Sequence, residues 1–185
     1  MVTSGEARAG VFRTGRLELR RWQATDVGEH FDTYRRWEVA RWLGADPRAL
    51  TSPEQSTAAI ARWADRHRSP FGVWAVVPDT VGHPVGSVLL VPLQDGDGNP
   101  AEEVEVGWHL NPDHWGRGYA TEGSQILLEA AWAVGLDEVW AVVRPGNKRS
   151  VAVTARLGMV PQGLTDRWYG VSLESFLVTA PHQGP

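Results

Sequence analysis

The sequence predicts an α/β domain with a mixed, mainly antiparallel central sheet of about six to seven strands and helices on both faces. Three observations predict it. Apolar, β-branched runs recur along the chain, some joined only by polar turns and others separated by helix-period stretches. The middle runs, at Phe71 to Val77, Gly86 to Val91 and Val104 to Leu110, follow one another with only turn-rich segments between them, which makes an antiparallel meander. The later run Val139 to Val143 follows a long helical stretch, so it lies parallel to its predecessor. With 185 residues and 42% hydrophobic content, one core suffices. A single domain is expected over 11–180, with 1–10 a disordered N-terminus and 181–185 a flexible tail.

Taken in order, Leu17 and Leu19 alternate with Arg16, Glu18 and Arg20, the period of a half-exposed strand. Thr25-Asp26 opens a helical pattern with Phe31, Tyr34 and Trp37 on one face. A second helix carries Ser52 as cap, Pro53 in its first turn and Gln55 in the capping-box position, with Ile60, Trp63 and Ala64 on its apolar side. The turn Pro78 to Pro84 joins the first two meander strands, and the polar turn Gln94 to Pro100 joins the next pair. Val104, Val106, Trp108 and Leu110 then alternate with Glu105, Gly107 and His109. A largely apolar helix runs from Tyr119 to about Val134 and stops near Gly135; Ile126, Leu127, Ala130, Ala131 and Val134 are expected inside, Glu122 and Glu129 outside. Val139 to Val143 is almost wholly apolar, as in a strand covered on both faces. A helix over Asn147 to Leu157 ends at Gly158, and Met159 to Leu164 with Val171 to Val178 forms a closing strand pair.

Composition excludes several functions. Acidic residues outnumber basic ones, 22 to 18, so no overall positive field gathers nucleic acid or an anionic membrane. The absence of cysteine removes disulfides, thiolate metal sites and a cysteine nucleophile, and no metal is expected. Met1 to Gly10 lacks the apolar core of a secretory signal and no segment reaches membrane-span length, so a cytoplasmic location is expected. The ten tryptophans, spread without a repeat period, read as core and groove-lining rings.

The densest chemical signal is His114-Trp115-Gly116-Arg117-Gly118-Tyr119-Ala120-Thr121-Glu122, a glycine-punctuated turn between a strand end and a long helix. Two glycines allow a tight fold with outward N–H groups, and the helix start adds unpaired donors and the positive dipole end. Dipole attraction contributes roughly 0.3 to 1 kcal/mol per exposed charge, so a pyrophosphate held by several amides as well anchors a large cofactor. A dinucleotide fingerprint fits poorly: Glu138, about twenty residues beyond Gly118, precedes its strand, whereas a ribose-binding acid follows one. A P-loop fails for want of Gly-Lys-Ser/Thr.

These residues resemble the GNAT superfamily of acyl-CoA-dependent N-acetyltransferases from roughly Arg16 to Val178. That family's signature, Gln/Arg-x-x-Gly-x-Gly/Ala at the start of a helix, is matched at Gly118 and Ala120, with Trp115 in place of the polar first residue. The wording Trp-Gly-Arg-Gly-Tyr-Ala-Thr-Glu, the opening Arg16-Leu17-Glu18-Leu19-Arg20, and Asn147-Lys148-Arg149-Ser150 followed by Leu157-Gly158-Met159 are similar to the RimJ/RimL-type branch of ribosomal-protein N-terminal acetyltransferases. The resemblance implies that acetyl-CoA is the co-substrate. Backbone N–H groups of Gly116, Arg117, Gly118, Tyr119, Ala120 and Thr121 would hold its pyrophosphate. Trp108, His109 and Leu110 would run beside the pantetheine arm, with Asn147 hydrogen-bonding it. The strand pair Glu103 to Leu110 and Val139 to Val143, fourth and fifth in the sequence reading, would splay to admit the thioester. Asn147 also reads as an N-cap, and Trp108 as core.

Direct acyl transfer to a primary amine, either a protein N-terminus or a small molecule, needs a base, a carbonyl held close, an oxyanion donor and a proton for the thiolate. Glu105 occupies the position where the resembled branch carries an acid and is the candidate base; a solvated strand carboxylate is the plainer reading. His109 is a second candidate base or a structural histidine. The tyrosine that many superfamily members place four residues before the last glycine is Thr154 here, so Ser150 is the candidate acid, with helix capping as its alternative. Trp37, Trp42 and Trp63 either line an acceptor groove or fill the core, and Arg35, Arg36 and Arg41 either bind an acidic acceptor or sit in solvent. A catalytically weak acyl-CoA-binding domain is the competing function, and a homodimer is compatible with the family.

Overall fold

The computed structural model describes residues 10–181. The expectations for 1–9 and 182–185 fall outside the described residues. Five helices flank one eight-stranded sheet of order β1-β2-β3-β4-β5-β6-β8-β7. In chain order these are β1 (Val11–Arg13), β2 (Leu17–Arg21), α1 (Val27–Tyr34), α2 (Trp37–Ala40), α3 (Pro53–Arg66), β3 (Gly72–Pro78), β4 (Gly86–Gln94), β5 (Pro100–Leu110), α4 (Tyr119–Ala133), β6 (Glu138–Val143), α5 (Lys148–Arg156), β7 (Val160–Thr165) and β8 (Leu173–Thr179). Among the described residues no helix is long and apolar enough to cross a membrane.

All pairings are antiparallel except β5 with β6. The mixed, mainly antiparallel class is as expected, but the strand count is eight rather than six to seven. The additional strand is β1, whose three residues are too short to show a period yet pair with β2 from Val11↔Arg20 to Arg13↔Glu18. The closing pair is ordered with β8 between β6 and β7, so the last strand completes the ladder of β6.

Strand alternation divides the helices between the two faces. Trp74 and Val76 of β3, with Leu17, Leu19, Val88, Leu90 and Val106, pack beneath Leu127, Leu128 and Ala131 of α4. Ala75 of the same strand faces the other way, against Trp22 and Ile60, with Val27, Val73 and Trp63 beside them. The N-terminus of α3 forms as the cap pattern predicts, with Ser52 N–H donating to Gln55 Oε1 at 3.2 Å.

Four side chains depart from their predicted burial. Trp37 is 53% exposed, because α1 stops at Tyr34 and Trp37 begins the separate α2. Val134 is also 53% exposed; α4 ends one residue earlier, with Gly135 at φ +87° supplying the left-handed stop. Strand β6 buries Val139, Ala141 and Val143, while Trp140 and Val142 on its other face are only partly covered. That open face borders the cleft described next.

Candidate functional site

The parallel ladder between β5 and β6 contains the single pair Glu105↔Trp140. On its other edge β5 stays paired with β4 as far as Gly86↔Leu110. The β6-facing edge of β5 beyond Glu105 is thus released from the sheet, and a cleft occupies the opening. It comprises two cavities of about 590 and about 650 Å³ that share Trp42, Leu43, Trp108, His109, Asn147 and Ser150 as walls.

The smaller cavity is floored by the glycine turn. Gly116 and Gly118 adopt φ +76° and +82°, left-handed values that side chains disfavour, and Gly118 serves as the N-cap of α4. The first α4 bond runs from Glu122 N–H to Gly118 C=O, at 3.0 Å. Backbone N–H groups from Gly116 to Thr121 have no acceptor among the described residues. Arg16 latches the turn from outside: Nη2 donates to the Arg117 carbonyl at 3.1 Å and Nε to Glu122 at 2.6 Å. The pairing also offsets the charge of Glu122, the acid nearest this helix start. Arg117, Lys148, Arg149 and Arg156 line the cavity against Glu38 as its one carboxylate. Free donors at a helix start and a local excess of cations suit a polyanionic nucleotide, although the whole chain is acidic.

Trp115 has a defined job in this geometry. Its indole Nε1–H donates to the Leu110 carbonyl at 2.7 Å, tying the turn to the last residue of β5. The Arg149 guanidinium lies 4.7 Å from the ring centroid, a cation–π distance.

The larger cavity holds Glu105, on the same strand face as Gly107 and His109. Burial pushes its carboxyl up to about 7, with a hydrogen bond from Tyr169 opposing the rise. The Tyr169 hydroxyl donates to Glu105 Oε1. No periodic or motif signal exposes Tyr169: it sits in the loop between β7 and β8 and reaches the site only through the tertiary fold. It also adopts φ +59°, the one positive φ among described residues other than glycine.

His109 borders both cavities, and burial lowers its imidazole to about 4, so it is neutral at physiological pH. Its Nδ1 lies 3.3 Å from the Tyr34 hydroxyl, which lies 2.8 Å from Ser87 Oγ; Trp22 Nε1–H donates to the same Ser87 oxygen at 3.1 Å. That chain fixes the ring.

Asn147 caps α5, its Oδ1 accepting from Ser150 N–H at 3.3 Å, and both side chains border both cavities. Thr154 is 1% exposed and its hydroxyl donates to the Val151 carbonyl at 2.8 Å, so it is turned away from the cleft. Trp42 and Trp63 wall the larger cavity and Trp37 does not. The arginine cluster is largely spent on neighbours: Arg35 and Arg36 pair with Asp32, and Arg36 with Asp113. Arg41 stacks on Trp42 at 4.5 Å.

Residues 16–160 match the family model described as an acetyltransferase (GNAT) domain. The chain is 33% identical over 153 residues to the uncharacterized N-acetyltransferase p20 of Bacillus licheniformis, covering 82% of this chain and 83% of the relative. The crystal structure of the ribosomal-protein-S5-alanine acetyltransferase of Vibrio fischeri superposes with a TM-score of 0.72 at 18% identity, covering 95% of this chain and 99% of that one. RimL, a ribosomal L7/L12 α-N-protein acetyltransferase solved in complex with coenzyme A, superposes with a TM-score of 0.73 at 15% identity, covering 91% of this chain and 97% of its own. The last two likenesses concern the fold. With the family model spanning most of the sequence, the chain belongs to the GNAT family and is an acyl-CoA-dependent N-acetyltransferase.

Proposed function

We propose that the protein transfers an acetyl group from acetyl-CoA directly to a primary amine, a protein N-terminus or a small-molecule amine, within a ternary complex. The observation that carries this reading is the cleft between β5 and β6, with unpaired N–H donors and cations on one side and a carboxyl raised to about 7 on the other. The residues fit a coenzyme A thioester. N–H groups from Gly116 to Thr121 hold the pyrophosphate, the released edge of Trp108 to Leu110 runs along the pantetheine, and Asn147 contributes a polar contact there. The thioester supplies the electrophilic carbonyl.

On the other side, Glu105 takes a proton from the amine as nitrogen attacks that carbonyl. The C–N bond forms, the C–S bond breaks, and the thiolate accepts a proton from water, directly or relayed through the Ser150 hydroxyl, which regains its own proton from that water. A carboxylate poised near neutrality suits this work, because proton-transfer catalysis is most effective when the catalytic pKa lies near the working pH. The aromatic wall of Trp42, Trp63 and Phe71 excludes water from the acceptor and favours the neutral amine. A cytoplasmic setting without nucleic-acid or membrane partners accords with the net charge of −4, and a homodimer is compatible with it.

A competing reading, an acyl-CoA-binding domain with little catalysis, draws on the inward-turned Thr154. Thiol release from acetyl-CoA, screened over peptides with free N-termini and small amines, separates the two. Amine-dependent thiol release is expected; tight coenzyme A binding with no release on any amine would leave the binding domain standing.

A further inference from the structure

We propose that Tyr169 is a positioning residue for acyl transfer: its hydroxyl, donated to Oε1, holds the Glu105 carboxylate in its ionised form and leaves Oε2 for the acceptor amine. The inference rests on Glu105 being the base. Two features of the β7–β8 loop carry it. The loop is tied down where Tyr169 sits, since Tyr169 N–H donates to the Gln94 carbonyl at 2.9 Å and the neighbouring Trp168, 2% exposed, packs on Trp140 with centroids 5.2 Å apart. Residue 169 is also held at φ +59°, a conformation that glycine or asparagine adopts more readily. A tyrosine kept there aims a phenol at one partner.

Other groups around Glu105 leave this role to the phenol. Val91 of β4 and Trp140 of β6 flank it in the sheet. Arg66 of α3, Arg144 after β6 and His109 of β5 line the same cavity, yet none pairs with its carboxylate among the described residues. Glu103, two positions earlier on β5, is engaged by Arg167. Arg144 is committed to the backbone carbonyl of Ala45 at 2.9 Å. Burial and the adjacent carboxylate raise the Tyr169 phenol, so it stays protonated and acts as donor only.

The test compares Tyr169→Phe with the wild type by two readouts: the pH dependence of kcat/KM, and the titration of the Glu105 carboxyl by carbon NMR, assigned with Glu105→Gln. Losing a donor to a carboxylate disfavours the anion, so both the acid limb and the titration are expected to move up by about one pH unit, with the high-pH rate within about twofold of wild type. Replacing the chain's tyrosines by 3-fluorotyrosine keeps the packing and makes the phenol a stronger donor, so both are expected to move down. A Glu105 titration and an acid limb both unchanged from wild type would overturn the positioning role. Should Glu105→Gln keep full activity, the base assignment itself fails, which is a separate result.

Discussion

Gly118→Ala probes the proposed cofactor turn at a position held in left-handed backbone. Gly118 sits at φ +82°, and an L side chain in left-handed backbone costs about 1 to 2 kcal/mol. The added Cβ would lie 3.2 Å from Arg16 Nη2, the free end of a flexible side chain, which can give way. Giving way weakens the Arg16 bonds to Arg117 and Glu122, but Arg16 is 53% exposed and such pairs contribute only about 0 to 1 kcal/mol. Backbone strain therefore dominates. In a chain of this size about 1 to 2 kcal/mol lowers Tm by about 2 to 8 °C. If the turn escapes the strain by rotating to negative φ, its N–H groups turn from the anion site and coenzyme A binding weakens by about tenfold or more. Thermal melting and calorimetric titration with coenzyme A measure the two effects. A variant with Tm within about 1 °C and Kd within about twofold of wild type would refute the argument that this turn is shaped for pyrophosphate.

Glu105→Gln is expected to stabilise the fold above neutrality. A carboxyl raised to about 7 in the folded chain carries no penalty below its unfolded value, a growing one between there and about 7, and the full one above. The Tm difference between variant and wild type should be near zero at low pH and positive above neutral; a negative difference there would contradict the raised carboxyl. Trp115→Phe removes the bond to the Leu110 carbonyl and leaves a part-buried acceptor short, at about 0.5 to 1.5 kcal/mol. A lower Tm together with weaker coenzyme A binding is expected, and unchanged binding would mean the link between β5 and the turn is not needed there.

Local rules made much of the fold legible. Ser52-Pro53 and Gln55 set the start of α3, and the alternation around Val104 to Leu110 placed Glu105 and His109 on one face, because such signals span only a few residues. Glycines at positive φ marked the turn for the same reason. Strand β1 escaped because three residues carry no period, and Val134 because helix ends shift by a residue at little cost. Tyr169 escaped for a deeper reason. Its meeting with Glu105 spans 64 residues and depends on β8 inserting beside β6, a pairing that no local pattern encodes. Trp115, an exception to the signature in the sequence, becomes intelligible only with the Leu110 carbonyl in place.

The most direct test of the account is the initial rate of thiol release from acetyl-CoA with a saturating amine, followed from about pH 6 to about pH 9 for wild type and Glu105→Gln. The wild-type rate should rise about tenfold per unit below an apparent value near 7 and level off above it, while the variant falls by about 10² to 10⁴-fold and loses that limb. A variant that matches the wild type in rate and pH profile would contradict the claim that a part-buried β5 carboxylate carries the proton.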